Sequence, residues 1–295
     1  MHMIKYKFSG HETFVCKQFW LKKGYDFVHN NNRFSDDNAV VELGVGKNMV
    51  MSIRFWMKSF GLINDNDELT ELADYIFGEK GVDPFIEDIG TIWLLHYQLI
   101  KENKASIYNM FFNDFRRGRY EFTKEQLLHF IKRRVNEGSQ SKAYNEKTIN
   151  NDINVFIRNY LRPKNNERKS DIEEDYSRLL IDLNLVFKSR EHLEGKSVEW
   201  FKVEGANRSD LPLNLVLFSI LDNPKYGQSI TFRELLNTSY SPGLVFVLNK
   251  EGLYSKIQQI AESYSNIVFS ETAGNQVLKI DKKLNKWEVL NEYYR

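Results

Sequence analysis

Cysteine is nearly missing from this chain, proline is scarce, and long apolar runs are absent altogether. One thiol, Cys16, can close no internal disulfide and cannot build a cysteine-rich zinc site. No stretch approaches the roughly 18 apolar residues that a membrane-spanning helix needs. Met1 to Gly10 is polar, without the apolar core of a signal peptide. A soluble, cytoplasmic protein is expected. There is no internal repeat and no low-complexity tract. A dominant charge is lacking as well, because the formal net charge is only +1.

That balance conceals blocks of opposite sign. Residues 101–170 hold sixteen Lys/Arg against eight Asp/Glu, and residues 61–100 hold one against nine. Residues 1–60 are mildly basic and residues 171–295 mildly acidic. Two basic blocks thus flank an acidic one, and basic blocks attract phosphate backbones. An ordinary solvated surface is the other reading of such counts. A chain of 295 residues usually forms two or three compact units. The polar run Arg162 to Ser170 follows a long helical pattern and reads as a boundary. The expected division is 1–100, 101–170 and 171–295.

Most of the chain has helical periodicity, with strands expected at Ile267–Ser270 and Gln276–Ile280 and turns between helices. Ser229–Phe232 and Leu244–Leu248 are further strand candidates. The expected fold class is mainly α with small β wings, built as tandem winged-helix or helix-turn-helix units. In the first unit, Asn38–Leu43 leads through Gly44-Val45-Gly46 into a helix from Lys47 to Phe60. Val50, Ile53, Trp56 and Met57 share one face of it, while Lys47, Met51, Arg54 and Lys58 lie opposite. A short helix, a tight turn and a second helix opening Lys47-Asn48 follow the plan in which the second helix reads base edges. Gly61-Leu62-Ile63, a polar tip and Glu68–Leu72 would then form a wing.

The second unit repeats the pattern. Ile149, Ile153, Phe156, Ile157 and Tyr160 form one side of a helix spanning Tyr144–Leu161. Lys147, Asn151, Asn154, Arg158 and Arg162 form the other. Arg and Lys bind phosphates, Arg also reads guanine edges, and Asn pairs with adenine. The helix Thr123–Val135, with Lys132, Arg133 and Arg134, would be its partner. At the C-terminus, the helix Glu251–Tyr264 and the hairpin behind it keep the same order. The outer face there is Glu251, Lys256, Gln258, Gln259 and Glu262, which suits packing or protein contact better than DNA.

Catalytic signals are sparse. Gly44-Val45-Gly46-Lys47-Asn48 lacks the first glycine and the hydroxyl of a phosphate loop. His11 and Glu12 could act as base and acid, or could lock the N-terminal segment by hydrogen bonds. Asp83, Glu87 and Asp88 could hold Mg²⁺. Equally, Asp83 could cap a helix running to Lys101 with Pro84 in its first turn. Asp88 and His96, eight residues apart, could pair along that helix.

Several longer strings are distinctive. They include Phe8-Ser9-Gly10-His11-Glu12-Thr13-Phe14, Glu42-Leu43-Gly44-Val45-Gly46-Lys47-Asn48, Asp83-Pro84-Phe85-Ile86-Glu87-Asp88 and Ser241-Pro242-Gly243-Leu244. Together they resemble the SspB-like subunits of bacterial DNA phosphorothioation systems, densely over the first hundred residues and thinly beyond. The resemblance implies binding to double-stranded DNA, a DNA-nicking activity with Mg²⁺ or Mn²⁺ as its metal, and a role in anti-phage defence. It also implies a cysteine desulfurase and a sulfur-activating ATPase as partners. No cofactor beyond such a metal is implied. The alternative is a non-catalytic winged-helix regulator or targeting subunit.

Overall fold

The computed structural model describes residues 6–137, 145–163, 177–193, 196–272, 274–281 and 284–295. The chain forms two compact units, one of Met1–Phe111 with Gly118–Val203 and one of Phe112–Arg117 with Glu204–Arg295. These units group the chain differently from the three-part division, because the helices of the second basic block belong to the same unit as the N-terminal helices. Most of the supposed linker at 162–170 lies outside the described residues.

The first unit opens with α1 (Gln18–His29), α2 (Ala39–Leu43), α3 (Lys47–Ser59) and α4 (Glu71–Phe77). Gly44 ends α2 at φ +59°, a left-handed conformation that glycine adopts without penalty. α5 (Ile89–Glu102) follows, and every residue from Gly90 to Ile100 is buried. It is apolar on all sides, so it forms the centre of the unit. α6 (Ser106–Met110) runs into a wider turn at Phe111–Phe115. β1 (Glu121–Phe122), α7 (Lys124–Glu137), α8 (Glu146–Tyr160), β2 (Phe187–Leu193) and β3 (Lys196–Lys202) complete the unit. Phe156 of α8 meets Phe111, Tyr108 and Tyr160 at ring-centroid separations of 4.6, 5.3 and 5.5 Å. This aromatic cluster fastens α8 to α6.

The second unit contains α9 (Leu213–Asp222), β4 (Ser229–Thr231), α10 (Phe232–Asn237), α11 (Pro242–Val245), α12 (Lys250–Ser263), β5 (Ile267–Thr272), β6 (Asn275–Ile280) and α13 (Lys286–Tyr293). Thr231 and Glu234 form a reciprocal capping box that starts α10 directly after β4.

Each unit carries one antiparallel three-stranded sheet, ordered β1-β3-β2 in the first and β4-β6-β5 in the second. In both, helices separate the first strand from the second, and the second and third strands form a hairpin. Phe187 and Glu121 both pair with Lys202 in the first sheet. In the second, Ile267 pairs with Ile280 and Thr231 with Val277.

Three expected elements come out differently. The stretch after Asp83 is a loop, and α5 starts at Ile89 with Asp88 as its cap. Leu244–Leu248 is not a strand: Ser241 caps α11, and Val247 turns the chain at φ +54°. The turn after α3 closes through the single bridge Ile63–Leu69, and the supposed second wing strand becomes α4, capped by Thr70.

Candidate nucleic-acid interface

α8 is amphipathic in the way its sequence requires. Asn145 caps it by accepting from Thr148 N–H at 2.9 Å. Ile149, Ile153, Phe156, Ile157 and Tyr160 are buried. Lys147, Asn154 and Arg158 are exposed and Asn151 is half-buried. At 100° per residue these four positions fall in one narrow row along the helix. α7 packs beside α8, and Lys124 Nζ reaches Asn154 Oδ1 at 2.7 Å, adding a cation to the row. Arg162 lies just past the helix and pairs with Asp182 at 2.9 Å. Lys132 pairs with Glu146 at 2.9 Å. On the hairpin behind α8, Lys188 and Arg190 both reach Glu199, at 2.5 and 3.1 Å. Their hydrogen bonds and charges hold the Glu199 carboxyl below its usual range.

A third side of α8 faces the N-terminal segment. Asp152 accepts from Ser9 N–H through both oxygens, at 3.1 and 2.9 Å, and lies 3.1 Å from His11 Nε2. His11 Nδ1 accepts from Thr13 N–H at 3.1 Å, so the ring proton sits on Nε2 and is donated to Asp152. His11 and Asp152 are 3% and 2% exposed. Two helical turns further on, Asn159 Oδ1 accepts from Cys16 N–H at 3.1 Å. The segment is strongly bent: Ser9, Gly10, Glu12 and Thr13 all have positive φ, between 48° and 97°. Glu12 is exposed and Arg158 approaches the Thr13 carbonyl at 3.5 Å. His11 therefore locks the segment, with Asp152 as its partner rather than Glu12. Asp152 escaped the sequence reading because it lies 141 positions from His11.

The α3 row is split. Lys47 and Asn48 are exposed at the first turn. Arg54 and Lys58 instead converge on Asp67, each at 2.8 Å, in the turn that follows. Burial raises the Asp67 pKa, but the two cations outweigh it and hold the carboxyl below its usual range. On α12, Lys256 does not lie on the outer face. It is 9% exposed and donates to the Leu211 carbonyl at 2.5 Å. The exposed residues of α12 are Glu251, Ser255, Gln258, Gln259 and Glu262, with Lys250 and Ser263 at its two ends.

Residues 8–294 match the family model described as "Protein of unknown function (DUF4007)". The chain belongs to the DUF4007 family. The protein is also similar to two solved structures. One is an SspB crystal structure, at a TM-score of 0.79 and 26% identity, covering 98% of this chain and 88% of that chain. The other is a magnesium ion-bound SspB crystal structure, at 0.80 and 27%, with the same coverage. The SspB resemblance of the sequence strings thus extends to the fold of nearly the whole DUF4007 chain. No curated protein matches it.

The magnesium in that second neighbour makes the acidic loop of this DUF4007 protein worth testing for fit. Asp83 accepts from Glu87 N–H at 2.9 Å and from Asp88 N–H at 3.0 Å, which occupies both of its oxygens. Asp88 caps α5 by accepting from Gly90 N–H at 2.7 Å. Asp83 and Asp88 thus close a loop, and with Glu87 they do not form a group that could hold a metal ion. No group of three or more His, Cys, Asp or Glu side chains that could hold a metal ion occurs among the described residues. His96 is buried against Tyr160, with Nδ1 2.9 Å from the hydroxyl. Eight residues of helix rise about 12 Å, too far for a direct His96–Asp88 pair. No helix among the described residues is long and apolar enough to cross a membrane.

Proposed function

We propose that this protein is the DNA-binding subunit of a bacterial DNA phosphorothioation system and grips duplex DNA through α8. The observation that carries the reading is the row Lys147, Asn151, Asn154 and Arg158, presented outward by a helix whose opposite side is fastened in the core. Its setting supports the same reading. α8 occupies the place in β1-α7-α8-β2-β3 that the presented helix takes in a winged-helix unit, and α12 occupies the corresponding place in the second unit. Similarity to SspB structures supports the phosphorothioation setting, in which a cysteine desulfurase and a sulfur-activating ATPase are the expected partners.

Fluorescence anisotropy with a labelled duplex tests the binding face. Replacing Asn151, Asn154 and Arg158 by Ala should weaken binding by about tenfold or more without unfolding the protein. The slope of log affinity against log salt should fall by roughly one for the lost Arg158 phosphate contact. Unchanged affinity would sink the assignment. A supercoiled plasmid incubated with Mg²⁺ or Mn²⁺ separates the two activities that fit a DNA-binding subunit. Open circles identify a nickase, whereas retardation without cleavage identifies a targeting subunit. The second reading is favoured by the acidic loop, in which Asp83 and Asp88 accept from backbone N–H groups.

A further inference from the structure

A groove in the first unit, lined by none of the α8-row residues, lies between α1, α2 and the loop Asp83–Asp88. Phe19, Lys22, Asp26, Glu42, Leu43 and Phe85 line it. Phe19 and Phe85 are 59% and 56% exposed, and Val41, next to Glu42 on α2, is 78% exposed. Large apolar groups gathered at one concavity mark a contact surface.

Phe85 is held outward by construction. The next residue, Ile86, sits at φ +55° and is almost wholly buried. A β-branched residue in that left-handed conformation is strained and persists only where its surroundings enforce it. Asp83 supplies part of the enforcement through the Glu87 and Asp88 N–H groups. Gln18 supplies the rest by donating to the carbonyls of Phe85 and Ile86, at 3.1 and 2.8 Å. The loop thus turns Ile86 in and Phe85 out, and α1 fixes the groove wall that faces it.

The chemistry of the patch selects its occupant. Lys22 and Lys23 supply two positive charges to the lining, and Asp26 and Glu42 supply two negative ones. Lys22 and Asp26 pair with each other at 2.5 Å, while Asp26 stays half exposed. In an isologous contact a patch meets itself, so a patch of one sign repels its copy and a balanced one can pair across the axis. The same patch also offers both an apolar projection and an apolar hollow. We infer that this groove is the face through which two copies of the chain associate, with the rim phenylalanines of each copy entering the groove of the other. The inference stands apart from the DNA reading, because none of its residues belongs to the α8 row.

Sedimentation velocity of the full chain from about 1 to 100 μM tests it. The expected result is a shift with concentration from the 34.9 kDa monomer to twice that mass. Phe19→Ser with Phe85→Ser should keep the chain monomeric throughout, with an unchanged circular dichroism spectrum because both side chains are exposed. Glu42→Lys should weaken association about tenfold at low salt, with partial recovery at high salt as the new repulsion is screened. It leaves the loop untouched, so it serves as the readout if the double variant fails to fold. A wild-type chain that stays monomeric across the range overturns the proposal. So does a folded Phe19→Ser, Phe85→Ser chain that still dimerises.

Discussion

Replacing Asp152 by Ala perturbs the junction between the N-terminal segment and α8 most directly. Asp152 is 2% exposed and accepts from two donors, Ser9 N–H and His11 Nε2–H. Alanine accepts from neither; the His11 donor stays buried, whereas Ser9 is exposed and its N–H can turn to water. An orphaned buried donor costs about 1–3 kcal/mol and a lost exposed hydrogen bond to a carboxylate about 1 kcal/mol, so the change should cost about 2–4 kcal/mol. For a unit of this size the melting temperature should fall by roughly 5–15 °C. Asp152→Asn keeps the shape and one acceptor oxygen, so its loss should be smaller, about 1–2 kcal/mol. Thermal unfolding followed by circular dichroism reads both variants, and the Asp152→Ala, His11→Ala double variant supplies the coupling. A shift under about 2 °C for Asp152→Ala, or additive single effects, would refute the lock.

Other perturbations follow from the same geometry. Gly10→Ala places a Cβ 2.6 Å from Phe55 Cδ2 at a backbone φ of +97°, and should cost about 1–3 kcal/mol in a denaturant titration. Asp67→Asn should free Arg54 and Lys58, raising DNA affinity at low salt and steepening its salt dependence if the α3 row also faces phosphates. The same variant has a pH signature. The Asp67 pKa is lowered in the folded state, so its stabilising effect is complete above the unfolded value and is lost as pH falls through the folded one. The stability gap between wild type and Asp67→Asn should therefore be full near neutrality and close as pH drops below about 3.8. A gap that persists in acid would assign the effect to something other than this carboxylate.

Elements with a strong apolar period were legible in the sequence. α3, α7, α8 and α12 lie within two or three residues of their expected bounds, because each has one buried face, and α7, α8 and α12 also start behind a polar capping residue. The elements that escaped obey competing signals. Asp83-Pro84 has the chemistry of a helix start, yet Asp88 five residues later caps better, and the strained Ile86 keeps the intervening chain from helix. The run Leu244–Leu248 fits a buried strand or a buried helix equally, and Ser241-Pro242 decides for helix. β2, with Lys188, Arg190, Glu191 and His192 in seven residues, lacks the apolar alternation that announces a strand, and its identity comes from pairing with β3. At the site, the outward row was readable from spacing alone. Which cations are spent on carboxylates was not, because Asp67, Asp182 and Glu199 reach them only through the fold.

The two units share strand order and helix placement but differ where a nucleic acid would be met. α8 turns Lys147, Asn151, Asn154 and Arg158 outward, whereas α12 exposes a single cation, Lys250 at its first position, beside Glu251 and Glu262. Its other lysine, Lys256, has its side chain drawn into the unit. Burial lowers its pKa against the opposing pull of Asp210, and the Leu211 carbonyl takes its hydrogen bond. Phosphate contact is the electrostatic core of DNA affinity, and carboxylates at the contact face oppose it. Shared connectivity therefore does not imply shared function, and on the proposed reading the side chains on the presented helix decide which unit would meet DNA. Lys250→Ala separates the two. It should leave DNA affinity and its salt slope unchanged, whereas Arg158→Ala should lower both. A fall in affinity for Lys250→Ala in a chain that remains folded would place α12 at the DNA after all.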